Sequence, residues 1–487
     1  MPDPWSLAEA GARAVTGWPV RVSQAIYLST VFVLPVLACA TAFGRRQLGD
    51  HPRRTVLVLL LLDLTYMLWV TTPFVPIGVD ETFYAINAHV YAGNHDLWHC
   101  WNRPPMTSFG ALCVPWHPPL VGLLLRAASA WFAYLLAERA VRAPWALAAP
   151  LLVLVASRLS APSASLLSEP YGAAFLAAFA LAAARGAGGW IGLLAGLAFL
   201  SRWPLGWLLP VAIVLGWRRQ RLAGAAIAVA SFAALVGAVL WCTDTQPWRM
   251  LGDRSEWRRS MPGTLLYFLA PQVAFGVGWA FLLWLVVGGI RVRDAALRWC
   301  VFLFASCVAV LVVTGEATLR FLAPTIPLVA AVAANGLARA GDWTARRWSV
   351  RPVLAGLLVA VTALSVAFPV SPLGARAIKR ASPQNTVRES RGELLRLVGS
   401  APLYCDCNFL AVTAVLDHKC HAVLPPPDVV DDREPRRYQP PGVGLDLEGT
   451  TPPCAREGLP PGAFYLTYDP AGREVLWQRG ELHLVRW

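Results

Sequence analysis

Two adjacent carboxylates, Asp80 and Glu81, stand a few residues beyond an apolar run, in Gly78-Val79-Asp80-Glu81-Thr82-Phe83-Tyr84. Neighbouring acids repel unless they are solvated, paired or share a cation. The pair therefore reads either as a soluble loop end or as a general base held at a membrane surface. Further on, Val114-Pro115-Trp116-His117-Pro118-Pro119-Leu120 returns to apolar sequence, with Arg126 on the helix that follows. Proline at a first helical turn is ordinary, and His117 is either interfacial or a cavity residue. Ser168-Glu169-Pro170-Tyr171 sets a carboxylate where another helix opens, a place the helix dipole alone favours. In Gly315-Glu316-Ala317-Thr318-Leu319-Arg320-Phe321-Leu322-Ala323-Pro324 the order is reversed, because Arg320 opens a helix against its dipole. That placement asks for an anion, either a lipid headgroup or a bound phosphate or diphosphate.

The elements that must position these groups are apolar. Hydrophobic residues make up 56% of the 487-residue chain and charged residues only 15%, against roughly 25% charge in a soluble domain. Apolar runs bounded by Arg, Gly or Pro lie near residues 25–43, 55–72, 118–137, 143–157, 169–184, 190–201, 204–217, 222–241, 264–290, 299–314, 321–338 and 353–370. That predicts an all-α polytopic membrane domain of about twelve transmembrane helices over residues 1–370. The first run is too long and too far from the N-terminus for a cleaved signal peptide, and it is expected to stay as a membrane helix.

The net charge of +13 does not point to nucleic acid, because the arginines crowd into alternate short loops, including Arg45, Arg53, Arg139, Arg185, Arg219, Arg291 and Arg346. By the positive-inside bias those loops are cytoplasmic. The N-terminus, a large outer loop at 73–117 and a tail at 371–487 then lie outside a cell (inner) membrane. On that topology Asp80, Glu81, His117, Glu169, Arg202 and Arg320 all fall at one face.

Arg202 enters through geometry. The segment Trp190–Trp217 reads as a hairpin with arms of about 12 to 14 residues, roughly 20 Å each against a hydrocarbon core of about 30 Å. Its tip, Ser201-Arg202-Trp203-Pro204, therefore stops within the membrane, where a broken, charged backbone survives only inside protein or a watered cavity. Asp63, in the middle of an apolar run, has no partner evident from sequence.

The tail alternates helix-like and strand-like stretches, near 387–398, 402–405, 409–417, 422–424, 464–468 and 482–485, and predicts a small extracytoplasmic α/β domain. The Pro-rich, acidic stretch 425–453 reads as an irregular loop. Six cysteines fall on the outer side, and their even number suggests disulfides, with Cys100–Cys113 and pairings among Cys405, Cys407, Cys420 and Cys454 as candidates. Cys-x-Cys is not the usual zinc spacing. No metal ligands are assigned, although adjacent acids leave a divalent cation possible.

In that order, Asp80-Glu81, His117-Pro118-Pro119-Leu120, Ser168-Glu169-Pro170, Gly196-Leu197-Ala198-Phe199-Leu200-Ser201-Arg202 and Arg320-Phe321-Leu322-Ala323-Pro324 resemble the GT-C superfamily of membrane glycosyltransferases. The resemblance is particularly to the group with the protein O-mannosyltransferases and the lipid A aminoarabinose transferase. The resemblance implies a polyprenyl-phosphate sugar donor, inversion at the anomeric carbon, and a hydroxyl of a protein, lipid or glycan as acceptor. It makes Asp80 the catalytic base with Glu81 beside it, and Arg320, Arg202 and Arg126 the contacts to the donor phosphate. Tyr84, His117 and Glu169 would line the substrate. One additional helix precedes the Asp-Glu loop, which departs from the family and leaves the N-terminus outside.

Two other readings compete. A transporter or flippase predicts repeated halves and charges in both membrane leaflets, and neither pattern is visible. A lipid-linked oligosaccharide polymerase or ligase would also act outside, and the sequence does not separate it from a monosaccharide transferase.

Overall fold

The computed structural model describes residues 52–247, 287–347 and 383–487, apart from residues 73, 77–78, 95–96, 98–102, 157–158, 160–165, 188–189, 246, 290–291, 316–318, 406–408, 425–453, 456–458, 469 and 471. It falls into two compact units. One contains residues 119–239 with the described helices before 73 and between 287 and 347, and the other gathers 73–118, 240–254 and 377–487.

In the first unit, helix α1 is Pro52–Thr71. In the second, α2 (Val79–Tyr91) and α3 (Pro105–Cys113) come from the segment 73–118. The first unit continues with α4 (Leu120–Ala137), α5 (Ala148–Val155), α6 (Glu169–Arg185) and α7 (Trp190–Ser201). A 3-10 turn, Trp203–Trp207, leads into α8 (Leu208–Thr243), followed by α9 (Ala295–Thr314), a second 3-10 turn at Leu319–Thr325, and α10 (Ile326–Arg347). Asp294 caps α9, accepting from the N–H groups of Ala296 and Leu297 at 2.7 and 3.2 Å. Gly315 ends it at φ 72°, a backbone region that glycine enters without steric cost.

Among the described residues, five helical segments are long and apolar enough to cross a membrane. Two departures from the sequence pattern have a covalent cause. The run at 143–157 is two short helices, because Pro150 has no N–H to donate to Ala146 O. At 321–338 the α-helix starts only at Ile326, after a 3-10 turn that contains Pro324. The separate runs at 204–217 and 222–241 correspond to the two arms of α8, which meet at a break at Gln220 and Arg221, where Arg221 takes φ 50°. The runs at 25–43 and 353–370, and most of 264–290, lie outside the described residues.

α10 is buried continuously from Ile326 to Ala338. Around it the core is built from small residues, among them Ala130, Ala133, Ala173, Ala177, Ala180, Ala330 and Ala333. Small side chains let helix backbones approach closely, the packing mode available where lipid removes the hydrophobic drive between helices. Large apolar groups point outward instead, including Leu57, Leu61 and Trp69 on α1 and Leu222 and Ile227 on α8.

The second unit also holds α11 (Pro383–Glu389), α12 (Arg391–Val398) and α13 (Phe409–Leu416). Its six-stranded sheet comprises β1 (Leu403–Cys405), β2 (Cys420–Leu424), β3 (Cys454–Ala455), β4 (Phe464–Thr467), β5 (Val475–Arg479) and β6 (Leu482–Arg486). The order is β3-β2-β1-β4-β6-β5; β3, β2, β1 and β4 are parallel, and β6 pairs antiparallel with both β4 and β5. Parallel β1 and β2 need a crossover, which α13 supplies. Cys405 and Cys420 form a disulfide between these two strands. Cys113 is a free thiol, and Cys100, the partner expected for it, lies outside the described residues. β3 and β5 went unforeseen: β3 is two residues long, and β5 exposes most of its side chains as an edge strand.

Candidate active site

In the membrane unit, α7 stops at Ser201 because Pro204 has no N–H to continue the helix ladder to Leu200 O. Arg202 is left extended, at φ −154° and ψ 116°, and the 3-10 turn follows. The break expected from the sequence at Ser201–Pro204 is thus present, with Arg202 in it. The side chain is 5% exposed and lies 3.0 Å, from Nη1 to Oε1, from Glu169, which is fully buried in the first turn of α6. The guanidinium carbon sits 4.8 Å from the centre of the Phe321 ring, a cation–π contact. Gly172, one turn along from Glu169, makes room for this. A Cβ there would lie 3.2 Å from Pro324 Cγ, 3.3 Å from Arg202 Cδ and 3.4 Å from Leu205 Cδ1.

Arg320 immediately precedes Phe321 in the second 3-10 turn, and its side chain lies outside the described residues. Chemically, a guanidinium offers five N–H donors, more than one carboxylate accepts. A buried Arg202–Glu169 pair can therefore take a further anion while Glu169 offsets its charge.

Arg126 is engaged elsewhere than expected. Its Nη2 donates to Asp63 Oδ1 at 2.6 Å and to the carbonyl of Leu154 at 3.0 Å. This gives Asp63 the partner that the sequence left open. The signal was present: a lone acid and a lone base in separate apolar runs have nowhere to be stable except together.

In the other unit, Asp80 lies in the first turn of α2, where an acid suits the helix dipole. Its side chain is outside the described residues. Glu81 is 3% exposed, and Thr82, Tyr84 and Asn87 are buried along the same helix. A soluble loop end would leave Glu81 in water, and burial speaks against that reading. His117 is buried as well, with its backbone N–H donating to Val114 O at 2.9 Å and its ring set edge-on to Trp116. Among the described residues no cluster of three or more His, Cys, Asp or Glu side chains has a metal-holding arrangement.

No protein-family model and no curated protein sequence matches the chain. Solved structures do. The crystal structure of ArnT from Cupriavidus metallidurans bound to undecaprenyl phosphate superposes with a TM-score of 0.60 at 16% identity, over 88% of this chain and 97% of that one. The chain shares its fold with ArnT. ArnT in the apo state matches over the same shares of both chains with a TM-score of 0.57. An Archaeoglobus fulgidus oligosaccharyltransferase matches at a TM-score of 0.48 and 11% identity, over 75% of this chain and 62% of its own. The shared fold agrees with the order of short motifs read from the sequence. The chemistry still has to be argued from the residues.

Proposed function

We propose that the protein is a membrane glycosyltransferase. It moves a monosaccharide from a polyprenyl-phosphate donor to an acceptor hydroxyl of a protein, lipid or glycan on the extracytoplasmic side of the cell membrane, with inversion. The observation that carries this reading is the fold shared, over 88% of the chain, with a structure holding undecaprenyl phosphate. The buried Arg202 and the acids of α2 support it.

In the reaction, Asp80 takes the proton of the acceptor hydroxyl as its oxygen attacks the anomeric carbon. The bond from that carbon to the phosphate oxygen breaks, and polyprenyl phosphate departs with the electron pair. Arg320 and Arg202 stabilise the charge that builds on the leaving phosphate, and Glu169 holds Arg202 in place. Glu81 neighbours the base, and His117 and Tyr84 line the acceptor side. Arg126, already bound to Asp63, is left out of this set as a packing residue.

The test is transfer by the purified chain in nanodiscs supplied with polyprenyl-phosphate-linked sugars, followed by release of polyprenyl phosphate. Arg320→Ala should weaken donor binding by about 1.5–3 kcal/mol, the range for a charged hydrogen bond. Donor affinity unchanged by this substitution makes Arg320 a headgroup anchor, and a chain that releases polyprenyl phosphate from no donor is not this enzyme.

A further inference from the structure

Helix α13 ends at Leu416, and the turn after it is held from several directions. Arg391 Nε donates to Leu416 O at 3.3 Å, and the His418 ring lies 3.0 Å from Ala401 O. The Cys420 N–H donates to Thr413 Oγ1 at 3.0 Å, and Cys420 is itself tied to Cys405. Inside this turn Asp417 takes φ 55°, the left-handed region that aspartate tolerates better than most residues.

Its carboxylate reaches the outer loop. Asn94 Nδ2 donates to Asp417 Oδ1 at 2.8 Å, and His89 Nδ1 lies 3.3 Å from the same oxygen. Both groups sit at the C-terminal end of α2, and the Asn94 N–H donates to His89 O at 3.1 Å, so they form one cap. α13 packs against α2 within the same compact unit. A turn braced to the sheet thus grips one end of the helix whose other end carries Asp80 and Glu81.

We propose that Asp417 is a positioning residue that fixes where α2 sits along its axis and how it is rotated, and so where Asp80 is presented. Asp80 and His89 are nine positions apart on the helix, about 14 Å at 1.5 Å per residue, and a helix transmits a shift over that length. The catalytic consequence rests on the glycosyltransferase reading; the grip on α2 does not.

Three substitutions test it in the full chain in nanodiscs. Asp417→Gly removes the carboxylate but accepts the left-handed backbone. Asp417→Asn keeps an acceptor oxygen. Asn94→Ala breaks the contact from the loop side and leaves the sheet untouched. The readouts are single-turnover transfer, donor affinity, and hydrogen exchange across Val79–Tyr91. Misplacement of a reacting group by about 1 Å costs about 100-fold, so Asp417→Gly and Asn94→Ala should slow transfer by about 10- to 100-fold. Donor affinity should stay within about two-fold, the pattern of an interaction lost from the transition state alone. Exchange in α2 should rise, and Asp417→Asn should restore most of the rate.

Parent-like transfer with unchanged exchange in α2 overturns the proposal. So does faster exchange spread over β1 and β6, which would make Asp417 a general support of the fold. If the parent chain transfers no sugar, exchange alone decides. Faster exchange confined to α2 then keeps the positioning role while the glycosyltransferase reading fails.

Discussion

Arg126 Nη2 and Asp63 Oδ1 are 2.6 Å apart, and this bond ties α4 to α1 within the apolar core of the membrane unit. Near the ends of the same two helices Arg53 meets Glu138 at 2.9 Å, on an exposed edge. The two pairs differ in worth. Exposed pairs contribute little, whereas removing one member of a buried pair strands a charge and costs about 3–5 kcal/mol. Arg126→Leu or Asp63→Leu should therefore lower the thermal stability of the detergent-solubilised chain sharply, and the double substitution Asp63→Leu with Arg126→Met should recover much of it. Single substitutions as stable as the parent would show that the pair does not hold α1 to α4.

Gly172 separates packing around Arg202 from its charge. A methyl group at this position meets Arg202 Cδ at 3.3 Å and Pro324 Cγ at 3.2 Å, so Gly172→Ala shifts the guanidinium by a few tenths of an ångström and keeps its partner Glu169. Placement errors of about 1 Å cost about 100-fold, and this smaller one should slow transfer by up to about ten-fold with little loss of expression. Transfer by Gly172→Ala at the parent rate would remove Arg202 from the proposed site.

Residues of the C-terminal region make its stability depend on pH. Burial pushes the His421 imidazole below its ordinary value of 6.5, helped by the charges of Lys419 and His418, and its ring lies against Tyr404 on the neighbouring strand. Above pH 6.5 the ring is neutral both folded and unfolded, so it sets no penalty. As the pH falls through 6.5 the unfolded chain takes up the proton first, and stability declines until the folded form is protonated too. Between pH 7.5 and 5.5 the parent should lose more thermal stability than His421→Gln. Equal losses would contradict the assignment.

Much of the architecture was legible because it follows from local rules. Proline positions broke α7 and delayed α10, and the short arms around Arg202 announced a charge held inside the membrane unit. Strands β1, β2, β4 and β6 showed as apolar stretches alternating with helix-like ones. Side-chain partnerships across the chain were not legible. Nothing in the sequence joined Glu169 to Arg202 beyond their expected common face, and Arg126 looked like a phosphate contact because its carboxylate partner lies 63 residues away. No sequence motif singles out Asp417, His89 or Asn94, because a contact over 323 positions leaves no periodic trace.

The central claim is that Asp80 is the base of a lipid-phosphate-dependent sugar transfer. Replacing it with Asn preserves size and helix position and removes only the carboxylate. General-base assistance contributes about 100- to 10,000-fold. Single-turnover transfer in nanodiscs should therefore fall by that factor in Asp80→Asn, with donor affinity and expression retained, while Glu81→Gln keeps a larger share of the rate. If Asp80→Asn transfers sugar as fast as the parent, Asp80 is not the base; if Asp80→Asn and Glu81→Gln are both fully active, the mechanism proposed for this chain is wrong.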